Sequence, residues 1–163
     1  MIIILMGVSG CGKTTVGRLL AERLGWEFLD GDDYHPPDNV TKMSRGIPLT
    51  DADRAGWLDR LAGLITESLQ QGRSVVLACS ALKQSYRDRL TVSPRQVRFV
   101  YLKGSRELIG SRLLERAGHF MPPGLLESQF KDLEEPGNAL VVDIRLSPEE
   151  NVELIISYFR IHV

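Results

Sequence analysis

Apolar positions along the chain fall into short runs separated by longer amphipathic stretches. Ile2–Met6, Glu27–Asp30, Ser74–Cys79, Val97–Lys103 and Ala139–Ile144 have the length and setting of strands. Between them, Trp57, Leu58, Leu61, Leu64, Ile65 and Leu69 recur at helical spacing, as do Leu108, Ile109, Arg112, Leu113 and Arg116. A further helix is expected from Lys13 to Leu24. The last helix has a marked start: Ser147 can cap it, Pro148 suits the first turn and Glu150 completes a capping box. Strands alternating with helices predict a parallel sheet covered on both faces. Two stretches resist this pattern. Gly31–Thr50 is polar and rich in turn residues, and Ala117–Gly124 contains Gly118, Pro122, Pro123 and Gly124. Long irregular segments in a compact α/β domain usually carry function, and the second interrupts a helical region as a mobile lid would.

The length of 163 residues suits one domain with one sizeable core, and 43% hydrophobic with 25% charged residues is ordinary for a globular protein. The apolar run Met1–Met6 is too short to span a bilayer, has no basic flank and leads into a glycine loop, so it reads as a core strand and no membrane role is expected. Cys11 and Cys79 form no CxxC pair or disulfide framework, which suits a reducing cytoplasm. A net charge of −1 gives no global pointer to nucleic acid. The charge is unevenly spread: from Lys83 to Arg116, nine Lys/Arg face three acids, a local +6 against −7 elsewhere. Such a stretch is either a set of solvated helix faces or a basic wall around phosphate groups.

Gly7-Val8-Ser9-Gly10-Cys11-Gly12-Lys13-Thr14 has the form G-x-x-x-x-G-K-[ST], between an apolar strand and a helix. In that setting glycines let successive backbone N–H groups turn toward phosphates, and the helix N-terminus adds partial positive charge. Lys13 can reach the β- and γ-phosphates and the Thr14 hydroxyl can ligate Mg²⁺. There is no N-K-x-D stretch for guanine, and the Ser74–Cys79 strand ends without the acidic residue that motor-type ATPases give to the metal. The nearest acids at a strand end are Asp30 and Asp32. In an extended segment the two carboxylates would point the same way, one toward the metal and the other toward an acceptor hydroxyl.

Several further segments coincide: Leu29-Asp30-Gly31-Asp32-Asp33-Tyr34-His35-Pro36, Asn39, Lys42-Met43, Gly46 to Arg54, Ala78 to Lys83, Tyr86-Arg87-Asp88, Val100 to Gly104, Gly118 to Pro122, Gln129-Phe130 and Leu133 to Pro136. Together they resemble the small bacterial-type gluconokinases of the P-loop kinase superfamily, over essentially the whole chain. The resemblance implies a three-layer α/β fold like that of shikimate and nucleoside monophosphate kinases, a five-stranded parallel sheet in the order 2-3-1-4-5, helices on both faces and a lid over the nucleotide. Residues 1–163 would form a single P-loop kinase domain, with substrate binding near 31–56 and the lid near 112–136. The implied reaction is ATP plus D-gluconate giving ADP plus 6-phosphogluconate, in a cytoplasmic homodimer using ATP and Mg²⁺.

Within that reading Gly7, Val8, Ser9, Gly10, Cys11, Gly12, Lys13, Thr14 and Thr15 hold the nucleotide phosphates, and Thr14 with Asp30 serves the metal. Lys13, Asp32 and Arg116 are the catalytic set. Arg112 is expected to stack on adenine and Arg116 to contact the phosphates, as an arginine pair does in kinases of this fold. Gluconate carries a carboxylate at one end and a primary alcohol at the other. Asp32 is the candidate for the alcohol, and Arg54, Lys83 and Arg87 for the carboxylate and chain hydroxyls. Lys83 and Arg87 are four apart and would share a helix face. His35 is a substrate-binding candidate through the resemblance, and His119 is either a substrate contact or a solvated lid residue. Cys11 stands where the family often has serine, Gly56 stands where it usually has proline and is expected to loosen that turn, and the link after Pro136 is very short. Two rivals stay open: a kinase of this fold with another acceptor, such as shikimate, a nucleoside monophosphate or a different sugar acid, and a nucleotide-gated binding protein.

Overall fold

The structure is a computed structural model that describes residues 1–115 and 123–163. Its centre is a parallel five-stranded sheet in the order β2-β3-β1-β4-β5. The strands are β1 (Ile2–Met6), β2 (Glu27–Asp30), β3 (Val75–Ala78), β4 (Val97–Lys103) and β5 (Leu140–Asp143). The order is the expected one, and three of the five strands have the expected bounds. β3 and β5 are each one residue shorter at either end than their apolar runs.

β1 is the middle strand because it can be buried on both faces: all five of its residues have no exposed surface. Its register sets Ile4 opposite Leu77 on one side and Phe99 on the other. Ile3 and Leu5 point into one core cluster, shared with Val16 and Leu20 of α1 (Lys13–Leu24) and Val152 and Ile155 of the last helix (Pro148–Phe159). Ile2, Ile4 and Met6 point into the other, with Trp57, Leu61 and Ile65 of the long helix Asp51–Gln70. In chain order the helices are α1, α2 (Pro37–Ser44), α3 (Asp51–Gln70), α4 (Gln84–Leu90), α5 (Arg106–Glu115), α6 (Pro123–Asp132) and α7 (Pro148–Phe159).

The α7 capping box is present in both directions: Ser147 Oγ accepts from the Glu150 N–H at 3.1 Å, and Glu150 Oε2 accepts from the Ser147 N–H at 2.8 Å. A second box, Thr50 with Asp53, starts α3. Gly31–Thr50 is more regular than its polar composition suggests. It holds a 3₁₀ turn at Gly31–Tyr34 and then α2, which Pro37 starts in the first helical turn. Gly56 lies inside α3 rather than in a turn, so the expected loosening does not arise. Residues 116–122 of the expected lid, Arg116 and His119 among them, lie outside the described residues.

Candidate active site

The carboxyl ends of β1, β2 and β3 open onto a crevice, where ligands bind in parallel α/β sheets. β1 feeds the phosphate loop. Gly10 and Gly12 hold left-handed backbone angles, φ 83° and 98°, which let the loop turn and α1 begin directly at Lys13. Lys13 Nζ donates to the carbonyls of Gly7 at 2.9 Å and Val8 at 3.1 Å, folding over its own loop. Cys11 is buried in the core beneath it. The loop, Thr14, Thr15, Asp30 and Asp32 line one cavity, and Ser9, Lys13 and Asp32 also line the neighbouring one.

Asp30 ends β2 and does two jobs. One carboxylate oxygen accepts from Thr14 Oγ1 at 3.2 Å and the other from the Asp32 N–H at 3.0 Å. The second bond caps the 3₁₀ turn, so Asp32 sits on that turn and not in an extended segment. The aspartates nonetheless separate, with Asp30 against Thr14 and Asp32 on the boundary between the two cavities. Gly31 between them has no room for a side chain: a Cβ there would lie 2.7 Å from the Ala78 carbonyl. The Asp32 carboxylate is largely exposed, at 79%; limited hydration in the cleft and the neighbouring Asp30 and Asp33 charges push its pKa up, and Lys13 opposes that rise.

The second cavity adjoins the first across Lys13 and Asp32. Its walls include Asp32, His35, Arg54, Trp57, Ser80 and Gln129. The His35 ring stacks on Trp57 with centroids 4.1 Å apart and planes 16° off parallel. Trp57 Nε1 in turn donates to the Gly31 carbonyl at 2.8 Å, pinning the 3₁₀ turn to α3. Burial and the nearby Arg54 cation lower the His35 pKa to about 4, so the ring is neutral. Arg54, one helical turn before Trp57, is oriented by Tyr86 Oη at 2.8 Å and Asp132 at 3.3 Å, both bonded to its Nη1. Among the described residues its Nη2 has no protein acceptor.

The basic residues predicted for the acceptor do not all converge. Lys83 is the N-cap of α4, so it shares no helix face with Arg87. Its ammonium pairs with Asp51 at 2.9 Å and does not line the pocket, although Asp51 also accepts from Tyr86, the partner of Arg54. Arg87 is 2% exposed, and its guanidinium donates to the carbonyls of Ala81 (2.8 Å), Leu82 (3.0 Å) and Glu134 (2.8 Å). That clamp holds a strained turn, since Ala81 adopts φ 44° between the pocket residues Ser80 and Leu82. Arg87 thus braces the pocket wall through backbone carbonyls. Arg112 Nη2 donates to the Ile144 carbonyl at 2.6 Å, which places it beside the turn after β5.

Sequence reading gave no role to three residues in or beside the pocket, Trp57, Asn39 and Gln129. Trp57 reads as one more apolar residue of a periodic helix. Asn39 is 3% exposed within an otherwise polar stretch, and only burial reveals its importance. Gln129 belongs to α6, yet its Oε1 accepts from the Ser9 N–H of the phosphate loop. Cys79 is buried and its thiol is pushed up to about 12, chiefly by burial, so it stays protonated beside the site.

Comparison with known proteins agrees with this geometry. The family model described as "AAA domain" matches residues 2–136. A probable gluconokinase of Rattus norvegicus is 50% identical, with 83% of each chain covered. A gluconokinase of Gluconobacter oxydans is 49% identical over 94% of this chain and 86% of its own. The crystal structure of a gluconokinase from Sinorhizobium meliloti superposes with a TM-score of 0.85 at 42% identity, covering 98% of this chain and 97% of that one.

Proposed function

This chain belongs to the gluconokinase family, and from that premise we propose that it transfers the terminal phosphoryl group of ATP to the primary hydroxyl of D-gluconate, giving ADP and 6-phosphogluconate. The observation that carries the reading is the joining of phosphate loop and acceptor pocket through shared side chains, Lys13 and Asp32. A phosphoryl donor on one side and a hydroxyl on the other would meet between those two groups. The bond from the terminal phosphorus to the β-bridging oxygen breaks, the bond to the gluconate oxygen forms, and the hydroxyl proton passes to Asp32. A raised carboxylate pKa suits a base that takes its proton late in a loose transition state. Lys13 offsets charge on the transferring group once it leaves the loop carbonyls. Among the described residues Arg54 is the guanidinium that lines the pocket, and it is placed to read the gluconate carboxylate through its uncommitted Nη2. His35 meets the chain hydroxyls.

The donor set fits Mg²⁺. A hydroxyl and one carboxylate, Thr14 and Asp30, lie 3.2 Å apart beside the loop, and this ion usually takes its remaining ligands from phosphates and water. When bound it would neutralise charge on the β- and γ-phosphates. The proposal also carries Arg112 and Arg116 as nucleotide contacts, residues 112–136 as a lid, His119 on its acceptor side, a cytoplasmic location and a homodimer. These rest on the family resemblance. Among the described residues no helix is long and apolar enough to cross a membrane.

A coupled ADP assay over an acceptor panel tests the proposal. Gluconate should stimulate turnover far more than shikimate, epimeric sugar acids or nucleoside monophosphates. Equal turnover with one of those would move the acceptor assignment, and ADP formation indifferent to any acceptor would favour the nucleotide-gated binding protein.

A further inference from the structure

Asn39 is a buried amide, 3% exposed, on a short helix that no catalytic role claims. Its Nδ2 lies 2.9 Å from the Asp53 carbonyl and 3.3 Å from His35 Nδ1. A backbone carbonyl can only accept, so the side-chain atom facing it must be the NH₂ group, which settles the orientation of the amide. That same nitrogen has only hydrogens to offer to His35. Nδ1 of the imidazole must therefore accept, and a neutral ring that accepts at Nδ1 carries its proton on Nε2. The ring is held in place by its stack on Trp57. Nε2 faces Asp32 Oδ1 at 3.8 Å, across the part of the pocket where the acceptor hydroxyl would lie.

We propose that Asn39 is a positioning residue: it fixes His35 as the Nε2–H tautomer, so that the imidazole serves as a neutral hydrogen-bond donor to a hydroxyl oxygen of the acceptor beside Asp32. The inference rests on the reading of this pocket as the acceptor site. A neutral donor suits that position. It can order a polyol oxygen without forming an ion pair with Asp32, whereas an imidazolium there would hold the carboxylate and weaken it as a base. Burial outweighs the one facing anion, Asp32, which favours protonation, and keeps the ring neutral. Arg54 on α3 opposes protonation, and the Asp53 carboxylate on the same helix is taken by Lys42 of α2 at 2.8 Å. Asp32 is the facing anion, and Lys13 stands beyond it on the pocket wall.

Asn39→Asp replaces the donor with an acceptor of the same shape and should draw a proton onto Nδ1. His35→Gln keeps a donor near the Nε2 position without needing Asn39. Two measurements decide the case. Nitrogen-15 NMR of the unliganded protein reads the tautomer directly, and the chain has only 3 histidines, with the His35 signal identified by its loss in His35→Gln. The expected pattern is a proton on Nε2 and a bare Nδ1 from pH 6 to 8, moving to Nδ1 protonation in Asn39→Asp. Kinetically, Asn39→Asp should lower kcat/KM for gluconate about 10-fold in the native background but less than about twofold in the His35→Gln background. A Nδ1–H tautomer in the native protein overturns the assignment. An equal loss in both backgrounds means that Asn39 supports the fold without acting through His35. The NMR result does not depend on which acceptor is used, so a wrong acceptor would appear in the acceptor panel and leave the tautomer result standing.

Discussion

Gln129 Oε1 accepts a hydrogen bond from the backbone N–H of Ser9 at 2.6 Å, across 120 positions of sequence. The contact ties α6, which borders the proposed acceptor pocket through Leu125 and Ser128, to the glycine-rich phosphate loop. Gln129→Glu keeps an acceptor for that N–H but sets a negative charge against the loop. Like charge at this distance should raise KM for ATP about 10-fold with little change in melting temperature. An unchanged KM would mean that Gln129 moves away from the loop before ATP arrives.

Lys13 folds onto the carbonyls of Gly7 and Val8 and takes no part in either core cluster. Lys13→Ala should therefore reduce kcat by about 10²-fold or more while the denaturation midpoint barely moves. Near-normal turnover in this variant would reject the phosphate-loop mechanism.

The two aspartates should respond to different variables. Asp32→Asn retains shape and loses the base, so kcat should fall about 10²-fold with ATP affinity nearly constant. Asp30→Asn can still cap the 3₁₀ turn but loses charge beside Thr14, so the Mg²⁺ concentration for half-maximal rate should rise. Rates measured against Mg²⁺ and against gluconate separate the two, and interchanged responses would reverse the assignment. Because the Asp32 pKa is raised, the acid limb of the native rate profile should lie above the ordinary carboxylate range.

Arg87 should behave as a structural residue. Arg87→Leu leaves the carbonyls of Ala81 and Glu134 without this donor, while Leu82 keeps the Glu134 N–H, and about 2–4 kcal/mol of stability should be lost in chemical denaturation. A stable variant with a much higher KM for gluconate would restore Arg87 to the acceptor site.

His35 makes stability depend on pH. Its pKa is about 4 in the folded chain against 6.5 for a free imidazole. Between those values the unfolded chain binds a proton that the folded one does not. Stability should fall as pH drops from 6.5 toward 4, by up to about 3 kcal/mol, and this contribution should level off below 4. His35→Gln should flatten that part of the curve, and an unaltered slope would place the transition elsewhere.

Local chemistry determined much of this protein within the sequence itself. The strand Ile2–Met6, the glycine turns and the helix start at Lys13 follow from short-range rules: continuous apolar character for a strand buried on both faces, and backbone freedom where a loop must turn. The Ser147 capping box follows from the same rules. The strand order came from whole-chain resemblance. Side-chain destination was decided only in three dimensions. Lys83 and Arg87 look alike as cations four residues apart, but α4 begins after Lys83, so one reaches Asp51 at the surface and the other turns inward to a strained turn at Ala81. Asn39 and Gln129 look like ordinary polar helix residues until α3 and the phosphate loop close against them. Sequence spacing governs which residues are neighbours along an element. Which polar group is left buried, and so must find a partner, depends on how separate elements pack.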